Sequence, residues 1–144
     1  MPLDPPPRDA RGETLPHDHV GIQSDDGVIR RISPYQLVYD EKIRGKRISS
    51  KAYSPSSEKN GGMSVDLQRL IEETGIDAKA FVSSPPWIGA VRFTAGALRG
   101  EKLMVGYDPT ENNPYHGQVW GRFSKQLRRK LVDLATSFVP IKES

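Results

Sequence analysis

His116 is the side chain best set among its neighbours to move protons. Histidine is the only residue type whose ordinary pKa lies near neutrality. In the stretch Asp108-Pro109…Asn113-Pro114-Tyr115-His116-Gly117-Gln118-Val119-Trp120-Gly121 it follows a rigid turn and has glycine beside it, so a ligand could approach closely. Asp108 could orient the imidazole, as a general acid or base requires. The alternative is a structural histidine bonded to a backbone carbonyl.

The arginines are the second group. Arg30, Arg31 and Arg92 fall on apolar, strand-like stretches, and Arg99 follows shortly after. A guanidinium cannot be buried there without a partner. One reading is an ion pair with an acid such as Asp66 or Asp108, or exposure on a sheet face. The other is a cationic cleft that accepts an anion.

A third group is the basic stretch Lys42, Arg44, Lys46, Arg47 and Lys51, which contains Ser49-Ser50 and a turn-forming Gly45. Guanidinium groups, hydroxyls and free amides together suit a phosphate or carboxylate. A solvated hairpin whose lysines guard a sheet edge fits as well. Fourth, His17-Asp18-His19 could contribute to a divalent-metal site if a third ligand, such as His116, folded back onto it. It sits beside a Pro-rich stretch where ligand geometry is hard to hold, so surface polar residues are expected and no metal site is predicted.

No motif of high specificity is present. The chain lacks GxxxxGK[ST], a strand-borne GxGxxG, GxSxG and HExxH. With no cysteine, disulfides, thiol catalysis and Cys-ligated zinc or iron–sulfur clusters are excluded. The set Arg30-Arg31-Ile32, Ser49-Ser50-Lys51-Ala52-Tyr53, Met63-Ser64-Val65, Thr94-Ala95-Gly96…Arg99, Asp108-Pro109 and His116…Val119…Gly121 resembles an uncharacterised family of small bacterial proteins. The resemblance spans roughly residues 28–136. It implies a bacterial or phage source and one self-contained domain, and attaches no activity.

The elements that must hold these side chains follow from composition and pattern. The chain has 144 residues, 35% hydrophobic and 27% charged, with net charge +3. That suits one domain. No run approaches the ~18 apolar residues of a spanning helix. The opening MPLDPPPRDARGE has no apolar run of the kind a secretory signal needs, which points to the cytoplasm. Charge is uneven: residues 1–26 are acidic, and residues 121–144 carry six basic against two acidic side chains. A basic C-terminal segment can attract phosphate, nucleic acid or an acidic partner.

Five prolines in residues 1–16 predict a solvated arm whose removal leaves the domain folded. Strands are expected at residues 27–32, 35–41 and 47–53, and a loop at 54–62. Met63, Leu67, Leu70 and Ile71 predict a helix from Met63 to Gly75, capped by Ser64, with Asp66 toward solvent. A short turn of helix follows at 77–82. Trp87–Gly96 reads as a central strand, and further strands follow near 102–107 and 115–120. Phe123, Leu127, Leu131, Leu134, Ala135 and Phe138 predict a closing helix across residues 122–139, with Ser124 as its N-cap.

The fold expected is α+β, a mixed or mainly antiparallel sheet with two principal helices packed on it. A disordered arm of residues 1–19 precedes a single domain of residues 20–144. The cleft is expected from Arg30, Arg31, Ser49, Ser50 and Arg99 as ligand-binding residues and His116 as the catalytic one. Its ligand would be a nucleotide, a phosphorylated small molecule or a nucleic-acid end, and its reaction that of a transferase or hydrolase. No particular cofactor is indicated, and a membrane is not expected as a partner. An ADP-ribosyl transferase could use an arginine, a serine pair and a late polar residue in that order, but no glutamate stands in a catalytic context. The alternative is a non-catalytic interaction module whose basic helix, Lys125 to Lys130, binds an acidic protein or nucleic acid.

Overall fold

The computed structural model describes residues 3–56 and 61–142. Residues 57–60 of the expected loop, residues 1–2 of the expected arm and residues 143–144 lie outside the described residues. Among the described residues the fold is α+β, with eight strands and four α-helices. Six strands form one sheet: β1 (Gly27–Ile32), β4 (Met63–Leu67), β5 (Gly89–Thr94), β6 (Met104–Tyr107), β7 (His116–Trp120) and β8 (Thr136–Val139). They run in the order β6-β7-β4-β1-β5-β8, every pair antiparallel. A separate hairpin joins β2 (Leu37–Asp40) to β3 (Gly45–Ile48). No helix among the described residues is long and apolar enough to cross a membrane.

The sheet has two unequal faces. Alternation sends Val28 and Ile32, Met63, Val65 and Leu67, and Val105 and Val119 to the larger core. There they meet Leu98 of helix α3 (Ala95–Gly100) and Leu131 of helix α4 (Lys125–Leu134), both fully buried. Tyr53 and Phe93 meet edge to face, 5.5 Å between ring centroids. The opposite face holds a smaller core. Ile29 and Ala90 pack there against Ile71 of helix α1 (Gln68–Glu73), Ala78 of helix α2 (Ala78–Phe81), and Val82.

Two helix expectations are corrected. Residues 63–67 form a strand between β1 and β7, not the first turns of a helix. Both neighbours bury the alternating set Met63, Val65 and Leu67, and that burial outweighs the helical spacing. The helix starts at Gln68, and Ser64 does not cap it. At the C-terminus the helix stops at Leu134, and Thr136–Val139 pairs with β5 as an edge strand. Thr136, Phe138 and Val139 all favour strand. The expected Ser124 cap is present, its hydroxyl accepting from the Leu127 N–H at 3.1 Å. Strands two and three are shorter than expected, flanked by 3-10 turns at Pro34–Gln36 and Ser50–Ala52.

The structure also places residues 3–19 on the domain rather than leaving them as a solvated arm. Leu3 packs against the larger core, and Thr14 and His19 are buried. His19 N–H donates to Val105 O, while Asp18 Oδ1 accepts from Val105 N–H and His17 Nε2 accepts from Tyr107 N–H. The segment thereby satisfies the open edge of β6. Polar contacts to the sheet edge tie it down together with the packing of Leu3.

Candidate functional site

The site begins where a ladder ends. β1 and β4 pair at Val28↔Leu67 and Ile29↔Asp66 and then separate. Arg30 and Arg31 on one strand, with Ser64 and Val65 on the other, line the cleft that opens there, about 510 Å³ in volume. Phe81, Ser84 and Trp87 wall it on the β5 side, and Asn112, Asn113 and His116 on the β7 side. Asp66 lies opposite Ile29 on β1 and opposite His116 on β7, so all three share one face. Arg31, two residues beyond Ile29, lies on that face too.

Arg30 crosses the gap. Its Nε donates to Ala52 O at 3.1 Å and its Nη1 to Ser64 O at 2.9 Å. The residue is 8% exposed, and among the described residues no carboxylate lies within ion-pair distance of it. Burial pulls its pKa down to about 10, against the raising influence of Tyr53 and Asp66. It is therefore still a cation at neutral pH. The Tyr53 hydroxyl, pushed up to about 12 by burial, stays neutral beside it. Two carbonyl bonds do not neutralise a buried guanidinium, and the remaining charge favours an anion in the cleft.

Arg31 has its own counterion. Nε and Nη2 reach the two carboxylate oxygens of Asp66 at 2.8 and 3.3 Å. Asn113 Nδ2 donates to the same carboxylate at 2.8 Å. The guanidinium lies 5.3 Å from the centre of the Phe81 ring. The ion-pair reading therefore holds for Arg31, which brings little net charge.

His116 is oriented from behind. Its Nδ1 lies 2.8 Å from Asp108 O and 3.5 Å from the Asp108 carboxylate. A carbonyl only accepts, so Nδ1 carries the hydrogen and Nε2 holds the lone pair of the neutral ring. Among the described residues nothing bonds Nε2. Burial disfavours the imidazolium, but the hydrogen bonds and charge of Asp108, with the charge of Asp66, outweigh it and raise the pKa above the ordinary value. Burial likewise opposes the Asp108 charge, but bonds from His116, Thr14 and Gln118 prevail and hold the carboxyl well below the usual range. Thr14 donates to its Oδ1 at 2.6 Å, and Gln118 Nε2 donates to its Oδ2. Gln118 Oε1 is buried and has no partner among the described residues.

Of the expected site residues, Arg30, Arg31 and His116 line this cleft. Ser49, Ser50 and Arg99 do not. Ser49 is the N-cap of a 3-10 turn and accepts from Lys51 N–H, and Ser50 begins that turn. The turn reaches the site only through the carbonyl of Ala52. Arg99 lies toward the β6 edge, where it binds Asp18 at 2.9 Å and His19 O at 3.0 Å. Arg92 donates to Gln68 Oε1 at 2.6 Å, outside the cleft. The two N-terminal histidines are occupied structurally. His17 accepts from Tyr107 N–H through Nε2 and bonds Leu15 O through Nδ1, while His19 accepts from Gly21 N–H and bonds Asp4 O. Neither neutral ring keeps a lone pair for a metal.

Asn113, Ser64 and the aromatic wall are not foreseen as parts of the site, and Asp66 is foreseen only as an ion-pair partner for a strand arginine. Helical spacing sets Asp66 toward solvent, and Asn113 beside Pro114 marks only a turn. The alternation Met63-Ser64-Val65-Asp66-Leu67 is the signal that places Ser64 and Asp66 on one sheet face. No family model, curated protein or solved structure matches the chain.

Proposed function

We propose that this is a small cytoplasmic protein of bacterial or phage origin whose cleft takes the phosphate group of a nucleotide or nucleic-acid end. The observation that carries the reading is Arg30, a buried cation on the wall of an open cleft that no carboxylate among the described residues pairs with. A phosphate oxygen there supplies the missing negative charge through a charge-assisted hydrogen bond. Phe81 and Trp87 offer apolar faces to the rest of the ligand.

His116 gives the site its chemistry. With Nδ1–H held by Asp108, Nε2 accepts a proton from water or a substrate hydroxyl as the nucleophile attacks, and returns it to the leaving oxygen. Asp108 stabilises the imidazolium formed between these steps. Arg30 stabilises charge building on the phosphoryl oxygens. This is hydrolase or transferase chemistry at phosphorus.

The alternative, an interaction module using the basic helix, fits the geometry less well. Arg128 is turned inward, its Nη1 on Phe123 O, and Lys130 pairs with Glu101 at 3.2 Å. Lys125 and Arg129 remain exposed.

A thermal-shift panel of inorganic phosphate and common mononucleotides tests the reading. Ligand at 100 times Kd stabilises the native state by about 2.7 kcal/mol. His116→Ala should keep that shift while losing turnover of any nucleotide the native protein processes. Absence of a shift with every ligand in the panel contradicts the proposal.

A further inference from the structure

Consecutive residues of one loop line two openings. Trp87 belongs to the cleft, and Ile88 to a second groove of about 360 Å³. Adjacent Cα atoms are ~3.8 Å apart, so the backbone at Trp87–Ile88 is a wall common to both openings. The β2–β3 hairpin forms one wall of the groove through Leu37, Tyr39 and Lys46, and Pro34, Ile88 and Lys142 form the other.

The groove combines an aromatic face with uncompensated positive charge. Tyr39 and Lys46 are directly opposite in the hairpin, so ring and ammonium face the same side. Tyr39 is 60% exposed, far more than packing requires. Lys142 is anchored by its backbone, whose N–H donates to Ile88 O at 2.8 Å. Among the described residues no carboxylate pairs with Lys46 or Lys142. Asp40, the acid of the neighbouring strand, is already bound by Arg47 at 2.9 Å. Lys42 and Arg44 extend the positive charge to the hairpin tip, where Glu41 offsets part of it.

We infer that the groove takes the nucleotide next to the one in the cleft, so that the ligand is single-stranded nucleic acid held by its phosphorylated end. The inference rests on the phosphate reading of the cleft and names its substrate class. A base stacks on Tyr39 against the apolar Ile88 and Pro34, and Lys46 and Lys142 neutralise the following phosphates. Stacking on an exposed ring with flanking cations is how single strands are held without base pairing. A mononucleotide would fill the cleft and leave the groove empty.

Calorimetric titration with thymidine monophosphate and with an oligothymidylate phosphorylated at both ends, of about eight nucleotides, separates the possibilities. The oligonucleotide should bind at least about tenfold more tightly than the mononucleotide. Tyr39→Ala should weaken the oligonucleotide by about tenfold, and Tyr39→Phe, which keeps the ring, should not. Lys46→Ala with Lys142→Ala should lower the salt slope of oligonucleotide binding by ~1.4, at ~0.7 per phosphate on a single strand. Mononucleotide affinity should be the same in all these variants. Equal affinity for the two ligands, or groove variants that bind the oligonucleotide like the native protein, overturns the inference and leaves the cleft reading standing. Tighter binding of a duplex of equal length overturns the single-strand assignment. Failure of both ligands to bind overturns the cleft reading itself.

Discussion

Arg30 Nη1 donates to the Ser64 carbonyl, 2.9 Å away, across the gap where β1 and β4 stop pairing. One side chain thus replaces a ladder bond and carries a positive charge to the cleft wall. On the neighbouring face Arg31 is neutralised by Asp66, so the two adjacent arginines have different roles. Arg30 carries a charge that no carboxylate among the described residues pairs with, and Arg31 holds the strands together.

The Arg31–Asp66 pair is expected to matter to stability more than to binding. Asp66 is 4% exposed and the Arg31 side chain 21%. Breaking a fully buried pair costs about 3–5 kcal/mol. Partial solvation of Arg31 reduces this to roughly 2–3 kcal/mol for Asp66→Asn. Urea unfolding of the variant measures it, and a loss below about 1 kcal/mol contradicts the role assigned to the pair.

The His116–Asp108 contact should produce stability that depends on pH from both sides. Asp108 has a lowered folded pKa, so its contribution is present above the unfolded value of ~3.9 and is lost as pH falls further. His116 has a raised one, so its contribution is complete below ~6.5 and is lost as pH rises through the folded value. The pair stabilises most between about pH 4 and 6.5. Melting temperature against pH should lose its alkaline limb in His116→Gln and both limbs in Asp108→Asn. A profile unchanged in Asp108→Asn would refute the assignment.

Thr14 reaches the site from the N-terminal segment. Its hydroxyl bonds Asp108 at 2.6 Å, 94 residues away in sequence. A hydrogen bond to a charged group contributes about 1.5–3 kcal/mol, and Thr14→Val should lower the melting temperature by roughly 5–10 °C. Deleting residues 1–16 should lower it at least as far, since Leu3 is lost as well. A truncated protein that melts like the full chain would show that the segment contributes nothing.

Much of the fold is legible from local pattern, and the exceptions share a cause. The strand at residues 27–32, the Ser124 cap and buried Leu131 follow from spacing and residue type alone. Gly75, expected at a helix C-terminus, has φ of +81°. Met63 and Leu67 misled because a separation of four residues satisfies a strand and a helix equally. Val65, midway between them, decides for the strand. Phe138 similarly continues the helical spacing of Leu134 but belongs to β8.

The site was legible where strands bring neighbours together. Arg30, Arg31, Asp108 and His116 stand at or beside strand ends that the sequence marks by turns. Apart from Asp66, one of two acids suited to pair with a strand arginine, partners distant in the chain were not legible. Arg99 meets Asp18 across 81 residues, and no spacing rule announces that contact. Ser49 and Ser50 looked suited to an anion because a 3-10 turn needs the same small hydroxyl residues for its cap.

The most direct measurement is calorimetric titration of inorganic phosphate into the native protein, Arg30→Met, Arg30→Lys and Arg99→Ala. A charge-assisted hydrogen bond is worth about 1.5–3 kcal/mol, or roughly ten- to 150-fold in affinity. Arg30→Met should lose at least tenfold. Arg30→Lys, which keeps the charge but cannot hold two carbonyls and an anion together, should recover only part of that loss. Arg99→Ala, at the far edge of the sheet, should bind like the native protein. Native affinity in folded Arg30→Met, or loss in Arg99→Ala alone, would contradict the account.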